Sequence, residues 1–152
     1  LDEVFEAMGG QMIINVELTN YASPLDSLPD RVVELVRRHN LVERVFFSSF
    51  HPFNLLRVRR LLPQAVVGML AMSGSAGGWA RSFVGNWIAP QCVHPHYNDV
   101  NRSFIERQHR VGRRVHVWTV NEPAEMVCLF RLQVDGIFTD RPRLARQILE
   151  AQ

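Results

Sequence analysis

Residues Arg113–Pro142 read RRVHVWTVNEPAEMVCLFRLQVDGIFTDRP, and this stretch decides the fold. Val115, Val117 and Thr119 alternate with His116, Trp118 and Val120, which suits a strand of β-branched and aromatic residues. Pro123 fits the first turn of a helix, where its missing N–H costs nothing. Met126, Val127, Leu129, Phe130 and Leu132 follow at helical spacing. Asp135-Gly136 breaks the helix, and Ile137-Phe138-Thr139 resumes as a short strand. Two apolar strands joined by about a dozen helical residues form a βαβ unit, so they should run parallel. Chemistry in such units gathers at the C-terminal ends of strands, here Trp118–Asn121 and Thr139–Pro142.

The same unit recurs upstream. Leu1–Met8 has a helical stripe (Leu1, Val4, Phe5, Met8) stopped by Gly9-Gly10. Met12–Leu18 is a strand-length apolar run interrupted by Asn15 and Glu17. Asn20–Pro29 is turn-rich loop, and Pro29–Asn40 is an amphipathic helix with Arg37, Arg38 and His39 at its C-terminal end. Val45–Phe50 is the next strand, Phe53–Leu62 a helix ended by Pro63, and Ala65–Leu70 a third strand. Ser73–Arg81 is a small-residue loop, flexible by composition and placed where lids are found. Asn86–His94 is expected to contain a short fourth strand, Asn98–Val111 a helix ending at Gly112, and Arg143–Ala151 a terminal helix.

Six strand–helix units with polar strand exits point to a (β/α)₈ barrel or a doubly wound sheet. No GxGxxG turn follows the first strand, which argues against a dinucleotide-binding domain. A full barrel takes roughly 200–250 residues, so 152 residues fit the C-terminal portion of one.

All 17 basic residues are arginine, which excludes a Schiff-base or phosphate-loop lysine. The arginines are spread along the helices without an aromatic platform, so no nucleic-acid partner is expected. No apolar run reaches the roughly 18–20 residues of a membrane span. Cys92 and Cys128 lack CxxC spacing and read as two core thiols. They favour a reducing, cytoplasmic location without establishing it.

Glu17 is the main anomaly. Strands covered on both faces read as apolar runs, and a buried charge costs several kcal/mol unless paired or metal-bound. On a period of two, Asn15, Glu17 and Thr19 share one face while Val16 and Leu18 take the other. On an open surface strand that face would simply be solvated.

INVEL at Ile14–Leu18, VFFSSF at Val45–Phe50, His94-Pro95, GRRVHVWTVN and VDGIFTDRP occur in an order and spacing that resembles the glycerophosphodiester phosphodiesterase family. WTVN followed fourteen residues later by DGIFTD is the most specific piece. The resemblance implies a TIM barrel, of which this chain supplies strands three to eight. It also implies a divalent cation, calcium or magnesium, held by carboxylates, and cleavage of glycerophosphodiesters into sn-glycerol 3-phosphate and an alcohol. Glu17 matches the family's metal-binding glutamate, and Trp118 a tryptophan lining the substrate pocket. Thr19 stands where the family usually has a phosphate-contacting lysine; its hydroxyl can bond a phosphate but brings no charge.

The family's His-Arg-Gly motif, Glu-x-Asp pair and second catalytic histidine are not in these residues, so no catalytic residue is assigned here. His94 and His96 are the weak candidates for a joint ion site, and Asn121 is expected to shape the loop after its strand. The isolated fragment is expected to be inactive and poorly folded, with two open sheet edges. The competing reading is a noncatalytic barrel relative that binds a phosphorylated ligand or a partner. A phospholipase D of the same superfamily is a third.

Overall fold

The fold is given by a computed structural model that describes residues 1–23, 25–89 and 91–152. Pro24 and Pro90, read as part of a loop and of an irregular strand, lie outside the described residues. The elements in chain order are α1 (Asp2–Met8), β1 (Ile14–Glu17), α2 (Leu28–Arg38), β2 (Val45–Ser49) and α3 (Pro52–Leu61). They continue with β3 (Val66–Ala71), α4 (Phe83–Ile88), β4 (Cys92–Pro95), α5 (Arg102–Arg110), β5 (Arg114–Val117), α6 (Pro123–Arg131), β6 (Gly136–Ile137) and α7 (Pro142–Glu150). The strands form one parallel sheet in sequential order, β1-β2-β3-β4-β5-β6. This sequential parallel order, with a helix after each strand, is the winding of a (β/α) barrel, and the chain is a curled part of one.

Strand alternation sets the two faces. Phe47, Val67, Met69, Val93, Val115 and Val117 are fully buried against the helices. There they meet Val33, Val36, Leu55 and Val58 around β1–β3, and Phe104, Ile105, Met126 and Leu129 around β4–β6. Each such side chain contributes about 1.5–3 kcal/mol by leaving water. The opposite face, toward the barrel axis, carries Asn15, Glu17, Phe46, Ser48, Gly68, Cys92, His94 and His116.

Helix boundaries follow local chemistry. The Asn101 side chain accepts from Phe104 N at 2.9 Å and starts α5. Gly112, with φ of +77°, supplies the left-handed turn that ends it before β5.

Asn86–His94 contains the expected fourth strand, β4, which begins at Cys92, while Trp87 and Ile88 belong to α4. The Ser82 side chain caps α4 by accepting from Val84 N. The Ser73–Arg81 loop is pinned rather than loose. Gly74–Gly77 forms a 3₁₀ turn, and Asp99 accepts from Gly74 N at 2.9 Å and from Arg81 Nη1 at 3.0 Å.

Candidate active site

The exits of β1, β2, β3 and β5 and the segment after β6 surround a cleft of about 170 Å³ lined by Asn15, Glu17, Phe50, Leu70, Trp118, Thr119 and Phe138. A larger hollow of about 560 Å³ lies on the outer helical face between α2 and α3, away from the strand exits. It encloses the Arg57–Asp30 ion pair and offers no strand-end chemistry. The smaller cleft is the candidate site.

Glu17 ends β1 with its side chain toward this cleft, because Val16 and Leu18 are committed to the core at 8% and 1% exposure. Its carboxylate is exposed, which corrects the expectation of a buried acid. The strand sits at one edge of the sheet formed by these residues, so water reaches the carboxylate. Tyr21 donates its hydroxyl to Glu17 Oε1 at 2.8 Å. Partial burial, then the bond to Glu17, push the Tyr21 hydroxyl up to about 12, so it stays protonated and donating. Asn15 Oδ1 is buried in the same cleft and has no hydrogen-bond partner.

The turn carrying Tyr21 is fixed from below. Ser49 Oγ donates to Leu18 O at 2.8 Å, and Asn54 Nδ2 donates to Asn20 Oδ1 at 2.7 Å. Tyr21, Phe50 and Trp118 then meet edge to face, with ring centroids 6.0 Å and 5.5 Å apart. The indole N–H of Trp118 donates to His94 O at 2.6 Å, which orients the ring as one wall of the cleft. Ser49 and Phe50 therefore support and line the cleft.

Thr19 is exposed and is not among the residues lining the cleft with Glu17. Asn121 shapes its loop, as expected: its Oδ1 accepts from Thr139 Oγ1 and Asp140 N, and its Nδ2 donates to Asp140 Oδ2 at 2.7 Å. Tyr21 was not singled out by sequence; its only signal is its position four residues after Glu17.

The histidines rearrange more than the carboxylate does. His96 does not join His94: its Nδ1 accepts from Asn98 N and its ring stacks on Tyr97 at 4.3 Å. His94 instead meets His116, with 3.3 Å between His94 Nε2 and His116 Nδ1. Cys92 completes the group, since its Sγ and one ring nitrogen of each histidine all lie within 4.8 Å of one another. Burial pushes the Cys92 thiol up to about 11 and the His94 imidazole down to about 3, with His116 adding to the latter. His94 is fully buried and its Nδ1 has no partner, an omission that costs about 1–3 kcal/mol. Of the two expected core thiols only Cys92 is buried; Cys128 is exposed on α6.

An oxygen-seeking cation fits the cleft in kind. Glu17 offers a carboxylate and Asn15 an amide oxygen without a partner. The set is short in number, since calcium takes about 6–8 oxygen ligands. Among the described residues the one cluster of three metal-ligating side chains is the Cys92–His94–His116 group.

Known proteins resemble the chain in sequence and in fold. The family model described as "Glycerophosphoryl diester phosphodiesterase family" matches residues 1–144. A glycerophosphodiester phosphodiesterase from Caldanaerobacter subterraneus subsp. tengcongensis is 27% identical over 143 residues, covering 93% of this chain and 58% of its own length. One from Bacillus altitudinis is 27% identical over 156 residues, covering 99% and 62%. The chain thus spans somewhat over half the length of these curated relatives. Among solved structures, a phosphodiesterase from Oleispira antarctica, in complex with the product sn-glycerol-3-phosphate, superposes with a TM-score of 0.77 at 21% identity, covering 97% of this chain and 58% of that one. A glycerophosphodiester phosphodiesterase from Thermotoga maritima superposes with a TM-score of 0.68 at 21% identity, over 100% and 63%. The fold is thus part of a (β/α) barrel. The chain belongs to the glycerophosphoryl diester phosphodiesterase family.

Proposed function

We propose that this chain forms the Glu17 side of the active site of a metal-assisted hydrolase that splits glycerophosphodiesters into sn-glycerol 3-phosphate and an alcohol. The observation that carries the reading is the cleft itself. In a chain of this family, one carboxylate and one unpartnered amide oxygen face a strand-exit pocket walled by Trp118 and Phe50. A divalent cation, calcium or magnesium, would neutralise the phosphate and the charge developing on the leaving oxygen.

Glu17 and Asn15 would hold that cation from the β1 side. Tyr21 keeps one carboxylate oxygen of Glu17 occupied and so aims the other into the cleft. Trp118 and Phe50 present apolar faces against which the glycerol or alcohol carbon chain can lie. Thr19, exposed two residues after Glu17, would give a hydroxyl to a phosphate oxygen. None of the cleft-lining residues is a histidine. Proton transfer would therefore fall to groups other than the residues that line this cleft.

Calorimetric titration of the whole protein with calcium in the presence of sn-glycerol 3-phosphate tests this assignment. One calcium site that Glu17→Gln weakens by about tenfold or more is expected. Unchanged calcium binding in Glu17→Gln would remove this cleft from the metal site.

A further inference from the structure

The axis-facing side of β4 and β5 carries a second set of ligands of different chemistry. On β4, Cys92 and His94 are two residues apart and face the axis together. On the neighbouring strand β5, His116 reaches the same point. We propose that Cys92, His94 and His116 form a site for a soft divalent cation of the zinc class, distinct from the hard oxygen-ligated cation at Glu17.

Four observations carry this assignment. The three ligand atoms converge within 4.8 Å of one another. Two imidazole nitrogens bound at about 2.0–2.1 Å to a tetrahedral ion stand roughly 3.3–3.4 Å apart, and His94 Nε2 and His116 Nδ1 are 3.3 Å apart. Nδ1 of His94, in a fully buried residue, has no partner, so among the described residues the ring is held only by the Nε2 contact to His116, the contact an ion would replace. Finally, aromatic rings flank the group. Phe46 and Phe138 stand against the two rings, at 6.0 Å and 5.1 Å from His94 and 6.0 Å and 6.4 Å from His116. Gly68 lets the His94 ring lie directly on β3, since a Cβ there would come within 2.4 Å of it.

The donor set decides the metal. One sulfur and two imidazoles suit zinc, which takes Cys and His ligands in tetrahedral sites, and suit calcium or magnesium poorly. Binding breaks the Cys92 S–H bond: the sulfur keeps its electron pair for the metal and the proton leaves to solvent, with no change of oxidation state. A water or solvent oxygen would fill the fourth position.

The test is a cobalt titration of the reduced, metal-stripped whole protein, with Co²⁺ as the visible stand-in for zinc. The expected result is one Co²⁺ per chain, with tetrahedral visible bands and a thiolate-to-cobalt charge-transfer band. Zinc should displace the cobalt, and calcium should leave it in place. Cys92→Ser should abolish the charge-transfer band, His116→Gln should weaken binding by about tenfold or more, and Cys128→Ser should keep both band and affinity. Wild type that is folded by circular dichroism yet shows no thiolate band would overturn the proposal. A band that survives Cys92→Ser, or one lost in Cys128→Ser, would overturn it equally.

Discussion

His94 shows how one residue can bind three strands together. Its ring lies over Gly68 on β3, contacts His116 on β5, and its carbonyl receives the Trp118 indole N–H from the strand exit above. Adding a methyl at Gly68 would place a Cβ 2.4 Å from the ring atoms Cε1 and Nε2, and the fully buried imidazole has no free direction to move. Gly68→Ala should therefore destabilise the protein by about 1–3 kcal/mol, the range for overpacking a tight core. Denaturant unfolding should show a lower midpoint with an unchanged slope. An unshifted midpoint would mean that the ring relocates freely. Sequence marks Gly68 only as a glycine inside an apolar strand, because its neighbour lies 26 positions away. Glu17 stands out for the opposite reason: an acid in INVEL breaks a pattern set by its immediate neighbours.

Among the elements, α1 is attached by charge as well as by Phe5. Asp2 Oδ1 receives Arg38 Nη2 at 2.6 Å and lies 2.5 Å from His39 Nε2, both at the end of α2. Hydrogen bonds from His39 first, and from Arg38 next, hold the Asp2 carboxyl below its ordinary value of 3.8. The folded value being the lower one, the stabilisation is fully present above about pH 4 and disappears as pH falls through the folded value. The protection factors of the α1 amides, taken against the intrinsic exchange rate at each pH, should accordingly fall in acid. Asp2→Asn should show the lower protection already at neutral pH and lose the acid dependence. Protection that is identical in the two proteins would contradict this attachment.

Elements built on local pattern were the most legible. The β5–α6–β6 unit, with Pro123 opening its helix, lies where Arg113–Pro142 placed it, although regular pairing in β6 covers only Gly136–Ile137. In Asn86–His94 the strand was legible but not the helix before it, since Trp87 is apolar yet exposed on α4 and its hydrophobicity reports no core. Loop composition misled. The small residues of Ser73–Arg81 read as flexible, but Asp99, 25 positions from Gly74, ties the segment down. Contacts of that separation leave no trace in a local pattern.

Taken whole, the molecule is a sheet that curls without closing in these residues, with β1 and β6 as its two edges. Unpaired strand edges invite further pairing, and Met12 and Ile13 stand 44% and 69% exposed beside β1. The fold class was legible from the recurrence of strand, polar exit and helix. The family was legible from WTVN and DGIFTD, and both agree with the match over residues 1–144. The axis-facing group was not legible, since Cys92, His94 and His116 meet only once β4 and β5 are paired. No helix among the described residues is long and apolar enough to cross a membrane. The central claim is that the Glu17 cleft works on a phosphodiester with the help of a divalent cation. Release of sn-glycerol 3-phosphate from glycerophosphocholine by the whole protein tests it most directly, measured with calcium or magnesium, after chelation, and in Glu17→Gln. The account predicts turnover that chelator abolishes and metal restores, and that falls by about a hundredfold or more in Glu17→Gln. Turnover indifferent to both chelator and Glu17→Gln would contradict it.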